Sequence, residues 1–155
     1  MSEQDLRPSV VRQSILADHN NLRRLSDEAT VLAQAVLGGD SEQTLPLRRK
    51  VEALLQALLV HLELENAILL PALQETDAYG PLRAEELKEE HDAQREAFQR
   101  WLRAVEGATQ PPAELAQAVL DFHTRLQADM ENEERDFLSP KLLRDDPTTA
   151  DTFTG

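Results

Sequence analysis

The segment from Thr44 to Leu73 carries Leu47, Val51, Leu54 and Leu58 in alternating steps of four and three residues. Such steps place side chains on one face of an α-helix. The progression then runs through His61 and Glu65 before returning to apolar Ile68. An imidazole and a carboxylate one helical turn apart thus stand where the pattern asks for leucine. A buried carboxylate is costly unless it meets a proton, a counter-charge or a metal ion. Any fold for this chain must bury that pair on an apolar face and supply what neutralises it.

Three further stretches have the same periodicity, each bounded by proline or glycine. The first helix opens at Pro8-Ser9, runs through Val11, Ile15, His19, Leu22, Leu25, Ala29, Leu32 and Val36, and ends at Gly38-Gly39. Proline is tolerated in a first helical turn and glycine can take the left-handed cap. The second helix is the one that carries His61 and Glu65, beginning near Thr44–Pro46, with Pro71 expected to kink or end it. After a loop at Asp77–Gly80, the third opens at Pro81 and carries Leu87, His91, Gln94, Phe98, Trp101 or Leu102, and Val105, with Gly107 as its stop. The fourth starts after Pro111-Pro112 with Leu115, Val119, Phe122, Leu126, Met130 and Phe137, and Pro140 lies near its end.

Ala, Leu, Glu, Gln and Arg dominate the chain, and all are good helix formers. No segment has the β-branched alternation of a strand. Four single stripes on helices joined by short loops can only be buried against one another. The expected fold is all-α: an up-down-up-down antiparallel four-helix bundle over residues 1–143, with a disordered Asp-, Thr- and Pro-rich tail at 144–155. Met1–Arg7 reads as a frayed leader.

The chain also repeats itself weakly. Asp18-His19-Asn20 is echoed by Glu90-His91-Asp92, Pro71 by Pro140, Glu65 by Glu134, and His61 by Met130. The bundle is therefore read as two similar helical hairpins. At 1.5 Å per residue, His19 lies about 15 Å along the first helix, while His61 and Glu65 lie about 12 and 18 Å from the end of the second. These depths fit one layer, and the repeat sets His91 beside Met130 and Glu134. Facing side chains in a bundle are a usual place for a metal site.

The 29 acidic residues against 16 basic ones give a net charge of -13. Such a surface repels phosphate backbones, so neither nucleic acid nor a membrane is expected as a partner. There are no cysteines. Thiolate zinc and iron–sulfur sites are excluded, leaving imidazole and carboxylate as strong ligands. That donor set suits non-haem iron, manganese or zinc. The polar N-terminus is not a secretory signal, and no apolar run is read as long enough to span a membrane. The cytoplasm is the expected compartment, and a monomer or a homodimer the expected assembly.

The pattern His19 … His61-x-x-x-Glu65 … His91 … x-x-x-Glu134, with a proline after each carboxylate, resembles the hemerythrin-like HHE cation-binding family over roughly Val10 to Leu142. That resemblance implies a four-helix bundle with a non-haem iron site, usually of two ions. It also implies a role in binding or sensing dioxygen, nitric oxide, peroxide or iron itself. Carried over by position, the implied ligands are His19, His61, Glu65, His91 and Glu134. The family expects histidine where this chain has Met130, and a thioether is a soft, weak partner for iron. His123 cannot stand in, because it lies about 10 Å earlier along the helix. It reads instead as a core histidine, hydrogen-bonded or partly exposed. The alternative to an iron protein is a metal-free helical bundle acting as an interaction or regulatory module. No substrate pocket or separate acid–base pair is legible, so turnover is not expected.

Overall fold

The computed structural model describes residues 7–146. Residues 1–6 of the expected leader (1–7) and most of the expected tail, 147–155, lie outside them. Among the described residues the secondary structure is helical throughout, with no strand. The helices are α1 (Pro8–Leu37), α2 (Thr44–Leu64), α3 (Leu70–Gln74), α4 (Gly80–Glu106) and α5 (Pro112–Asp136). A short 3₁₀ turn at Ser41–Gln43 leads into α2. Because α2 and α3 are continuous through one wide turn, the described residues form four helical rods, consistent with a helical bundle.

That wide turn is the form the irregularity expected at Pro71 takes. The helix neither stops nor breaks there. Residues Glu65–Leu69 form a π-helical turn in which the Leu70 N–H bonds the Glu65 carbonyl, five residues back. Proline has no N–H to give to Ala67, and its ring crowds that carbonyl. Widening the preceding turn absorbs both effects, and the helix continues to Gln74. The extra residue rotates the helix beyond it, so that Leu69 takes the fully buried position expected of Ile68, which is only half-buried.

On α1 the buried line is Leu22, Ser26, Ala29 and Ala33, while Leu25, Leu32 and Val36 pack at its margin. Small residues on this line let neighbouring helices come close. The α1 stop is as expected, with Gly39 at φ 100°. At the end of α4 the left-handed residue is Ala108 (φ 51°), not Gly107. Past α5, Leu143 is buried, and Asp145 accepts hydrogen bonds from the Ser9 N–H (2.8 Å) and hydroxyl (2.5 Å). A carboxylate at the first turn of α1 also suits the positive end of the helix dipole.

The core forms two apolar clusters with a polar layer between them. One contains Val11, Ile15, Leu69, Leu73, Ala84, Leu87 and Leu138. The other contains Leu22, Leu47, Leu58, Leu62, Phe98, Phe122, Leu126 and Met130. On each rod the chain leaves one cluster and enters the other at a polar residue: His19 on α1, Glu65 after α2, His91 on α4, and Glu133 on α5.

Helix α1 packs on α2 and α5, and α2 packs on α4. Helices α4 and α5 meet through an aromatic wedge, with Phe98 and Trp101 edge-on to Phe122 at centroid distances of 5.8 and 5.3 Å. Below the wedge they stand apart. A cleft of about 710 Å³ opens between them and runs down to the polar layer.

By length and composition the helix Ser41–Gln74 is long and apolar enough to cross a membrane, contrary to the expectation that no run was. Its apolar side chains exceed one stripe because it packs against both α1 and α4. The buried His61 and Glu65 in its second half fit a core helix better than a lipid-facing one.

Candidate metal centre

Each side chain of the polar layer is placed by the helical repeat argued from the sequence. His19, His91 and Glu65 are 1 % exposed and His61 is 6 % exposed. One nitrogen each from His19 and His61, with one oxygen each from Glu65 and Glu133, lie within 4.8 Å of one another. Glu65 sits centrally. Its Oε2 is 3.1 Å from His61 Nε2 and 3.9 Å from His19 Nε2, and its Oε1 is 2.9 Å from His91 Nε2. The structure therefore brings four of the five expected residues together: His19, His61, Glu65 and His91.

The fifth, Glu134, lies on the other side of the His19 ring. Its carboxylate meets His19 Nδ1 at 2.7 Å and is held at 2.9 Å by Arg23, one turn along α1. The inward position is filled by its neighbour Glu133, 2.8 Å from His19 Nε2. Adjacent helix residues differ by about 100° in direction. The His19 ring is flanked by both carboxylates, and Arg23 draws Glu134 outward.

The outer nitrogens of the three imidazoles show a common plan. His19 Nδ1 meets Glu134 at 2.7 Å, His61 Nδ1 meets Asp18 at 2.6 Å, and His91 Nδ1 meets the Asn66 amide oxygen at 2.7 Å. These partners accept, so each Nδ1 carries the donated proton. In a neutral ring the other nitrogen, Nε2, then bears a lone pair. All three Nε2 atoms face the carboxylates of the layer. This is the arrangement by which a metal-binding histidine is fixed in tautomer and orientation. Asp18, Asn66 and Glu134 each adjoin, in sequence, a residue of the inner cluster on another rod. A polar residue directly beside His19, Glu65 and Glu133 was the signal that could have found them.

The donor set fits a cation on a further count. His91 Nε2 and Glu65 Oε2 are fully buried and have no hydrogen-bond partner. They nonetheless stand at short distance from oxygen and nitrogen respectively. Buried polar atoms close together but not aligned for a hydrogen bond suit a shared third centre.

Without such a centre the charges compete. Burial works to raise the Glu65 pKa, but proximity to Glu133, His61 and His91 outweighs it, and Glu65 is held well below the carboxylate range. Glu133 is driven the other way, first by burial and then by the charge on Glu65, so the pair shares one proton that resides on Glu133. His19 is lowered, chiefly by burial. Burial would also lower His61, yet the hydrogen bond to Asp18 and the proximity of the Glu65 carboxylate win and raise it to about 9. A divalent ion replaces these protons with a charge every member of the cluster can use.

Met130 is 4 % exposed and packs in the apolar cluster while lining the cleft. His123 is the core histidine expected, with Nδ1 2.7 Å from the hydroxyl of buried Ser26.

Among the comparisons with known proteins, the family model described as the hemerythrin HHE cation-binding domain matches residues 11–139. No curated protein and no solved structure matches the chain. The matched region spans all four rods and every residue of the polar layer.

Proposed function

The chain belongs to the hemerythrin HHE cation-binding domain family, a metal-binding domain, and from that premise we propose that it binds one or two non-haem iron ions in its polar layer. It meets there a small ligand (dioxygen, nitric oxide or peroxide) or responds to iron itself. The observation that carries this reading is the shared orientation of three imidazoles, Nδ1 bonded outward and Nε2 turned toward two buried carboxylates. His19, His61, His91, Glu65 and Glu133 would hold the metal. Glu134, Asp18 and Asn66 would orient its ligands. Iron, when bound, supplies an open coordination position and a reversible one-electron couple. Manganese or zinc suit the same donors.

The chain's own residues do the rest. Asp18 and Glu134 fix the tautomers of His61 and His19. The two apolar clusters exclude water from above and below the layer, and the cleft beside Met130 leaves one side accessible. Alternation of the two clusters along successive rods supports the up-down-up-down arrangement of two similar hairpins. With this reading go the cytoplasm as compartment and a monomer or homodimer as assembly.

The test is metal content and the visible spectrum of protein expressed with iron. Stoichiometric iron with a ligand-sensitive band is expected. Failure to load any metal under any condition overturns the proposal. One observation favours the metal-free module as a second reading: a charged His61 and a proton shared by Glu65 and Glu133 can neutralise the layer unaided. In that case a chelator leaves the melting temperature of the isolated protein unchanged.

A further inference from the structure

The cleft between α4 and α5 is far larger than a diatomic ligand needs. Its volume, about 710 Å³, lies in the range of sites for organic molecules, roughly 300–1,000 Å³. Its walls are also built like such a site. Leu58, Leu62, Leu126 and Met130 line the inner part, and the Phe98–Trp101–Phe122 wedge closes one end.

The charges along it are segregated. Near the polar layer the lining acids are Glu65, Glu90, Asp129, Glu133 and Asp136. Further out, Arg100 on α4 and Arg125 on α5 also line the cleft. Arg100 is nine residues beyond His91 and Arg125 eight before Glu133, so both stand about 12–14 Å from the polar layer. Among the described residues Arg100 has no ion pair or hydrogen bond. The Arg125 guanidinium lies over the Phe122 ring, 5.9 Å from its centroid, and its charge also acts on Asp129, one turn nearer the polar layer. In a chain of net charge -13, two arginines at the outer end of an apolar slot, one from each flanking helix, are a local exception to the surface.

We propose that the α4–α5 cleft binds an amphipathic organic carboxylate. Its head lies between Arg100 and Arg125, and its apolar tail, about 12 Å long, runs inward along Leu58, Leu62 and Leu126 toward Met130. A neutral analogue gains the apolar contacts but not the arginines. A cationic one meets the arginines unfavourably at the rim. The site does not depend on the metal, although a bound tail ends beside it.

Trp101 is the only tryptophan and lines the cleft, so its fluorescence reports occupancy. The experiment titrates the full-length protein with decanoate, decan-1-ol and decyltrimethylammonium below their aggregation concentrations, with and without added iron. Decanoate is expected to give a saturable change, tighter by about tenfold than decanol, with the ammonium weakest. Arg100→Glu combined with Arg125→Glu should remove that preference and leave decanol binding as it was. Ala97→Phe, which fills the cleft from the exposed side of α4, should weaken all three. The proposal is overturned if decanoate gives no saturable change. Equal binding of the three probes, or a carboxylate preference that survives the double charge reversal, overturns it as well. Failure of iron loading, by contrast, leaves this titration unaffected.

Discussion

Asn66→Leu separates a metal-ligand role for His91 from a purely structural one. Asn66 stands in the π-helical turn, and its amide oxygen accepts a hydrogen bond from His91 Nδ1–H at 2.7 Å. That bond leaves a lone pair on Nε2, 2.9 Å from Glu65 Oε1. Leucine cannot accept a proton. The imidazole, 1 % exposed, would then leave a buried N–H unpaired at a cost of about 1–3 kcal/mol. It has an alternative: the proton moves to Nε2, and a small turn of the ring aligns it for donation to Glu65 Oε1, 2.9 Å away. The new bond offsets most of the loss, so the metal-free protein is expected to give up only about 1 kcal/mol. The metal site fares worse, because the lone pair now points away from the cluster. Loss of an orienting partner typically weakens metal binding by about 10- to 100-fold, or about 1.4–2.8 kcal/mol. Asn66→Asp keeps an acceptor in place and should restore the affinity. The assay pairs a chelator-competition titration with ferrous iron or zinc against thermal melting of the metal-free form. Metal affinity within threefold of the parent, together with a clear loss of metal-free stability, refutes the assignment and leaves His91 as part of a hydrogen-bond network.

Four other perturbations have expected outcomes. Met130→His should raise iron stoichiometry or slow iron loss to a chelator, since it adds an imidazole where the chain has a thioether; unchanged loading means the cluster is not built around that position. In the metal-free protein the His61 pKa is raised from 6.5 to about 9. Its contribution to stability is therefore complete below pH 6.5 and lost as pH rises through 9, so the melting temperature should fall across that interval by up to about 3 kcal/mol of stability. The same proton competes with metal, so metal affinity should rise between pH 6.5 and 9 and metal should be released on acidification; retention at pH 4 would contradict histidine ligation. Ala108→Gly relieves a left-handed residue (φ 51°) after α4 and should stabilise by about 1 kcal/mol in chemical denaturation. Gly80→Ala should do the opposite by about 1–3 kcal/mol, because an added Cβ would stand 2.2 Å from the Leu73 carbonyl oxygen.

The sequence by itself determined the helices and the residues they turn inward. That comes from a local rule: a period of 3.6 residues decides which side chains share a face, and His19, His61, Glu65 and His91 fall on the buried faces for that reason. Only the assembled rods decided the rest. Glu133 and Glu134 are equally near the inward direction of α5, and an arginine on α1 settles which one enters. Asp18 and Asn66 gain their roles from imidazoles on other helices. The wide turn before Pro71 moves burial from Ile68 to Leu69, a shift of one residue that no fixed period anticipates. The α4–α5 cleft depends on how far the aromatic wedge holds two helices apart, a distance set by side chains remote in the chain. Periodicity is a property of one helix; spacing and orientation between helices are properties of the packing.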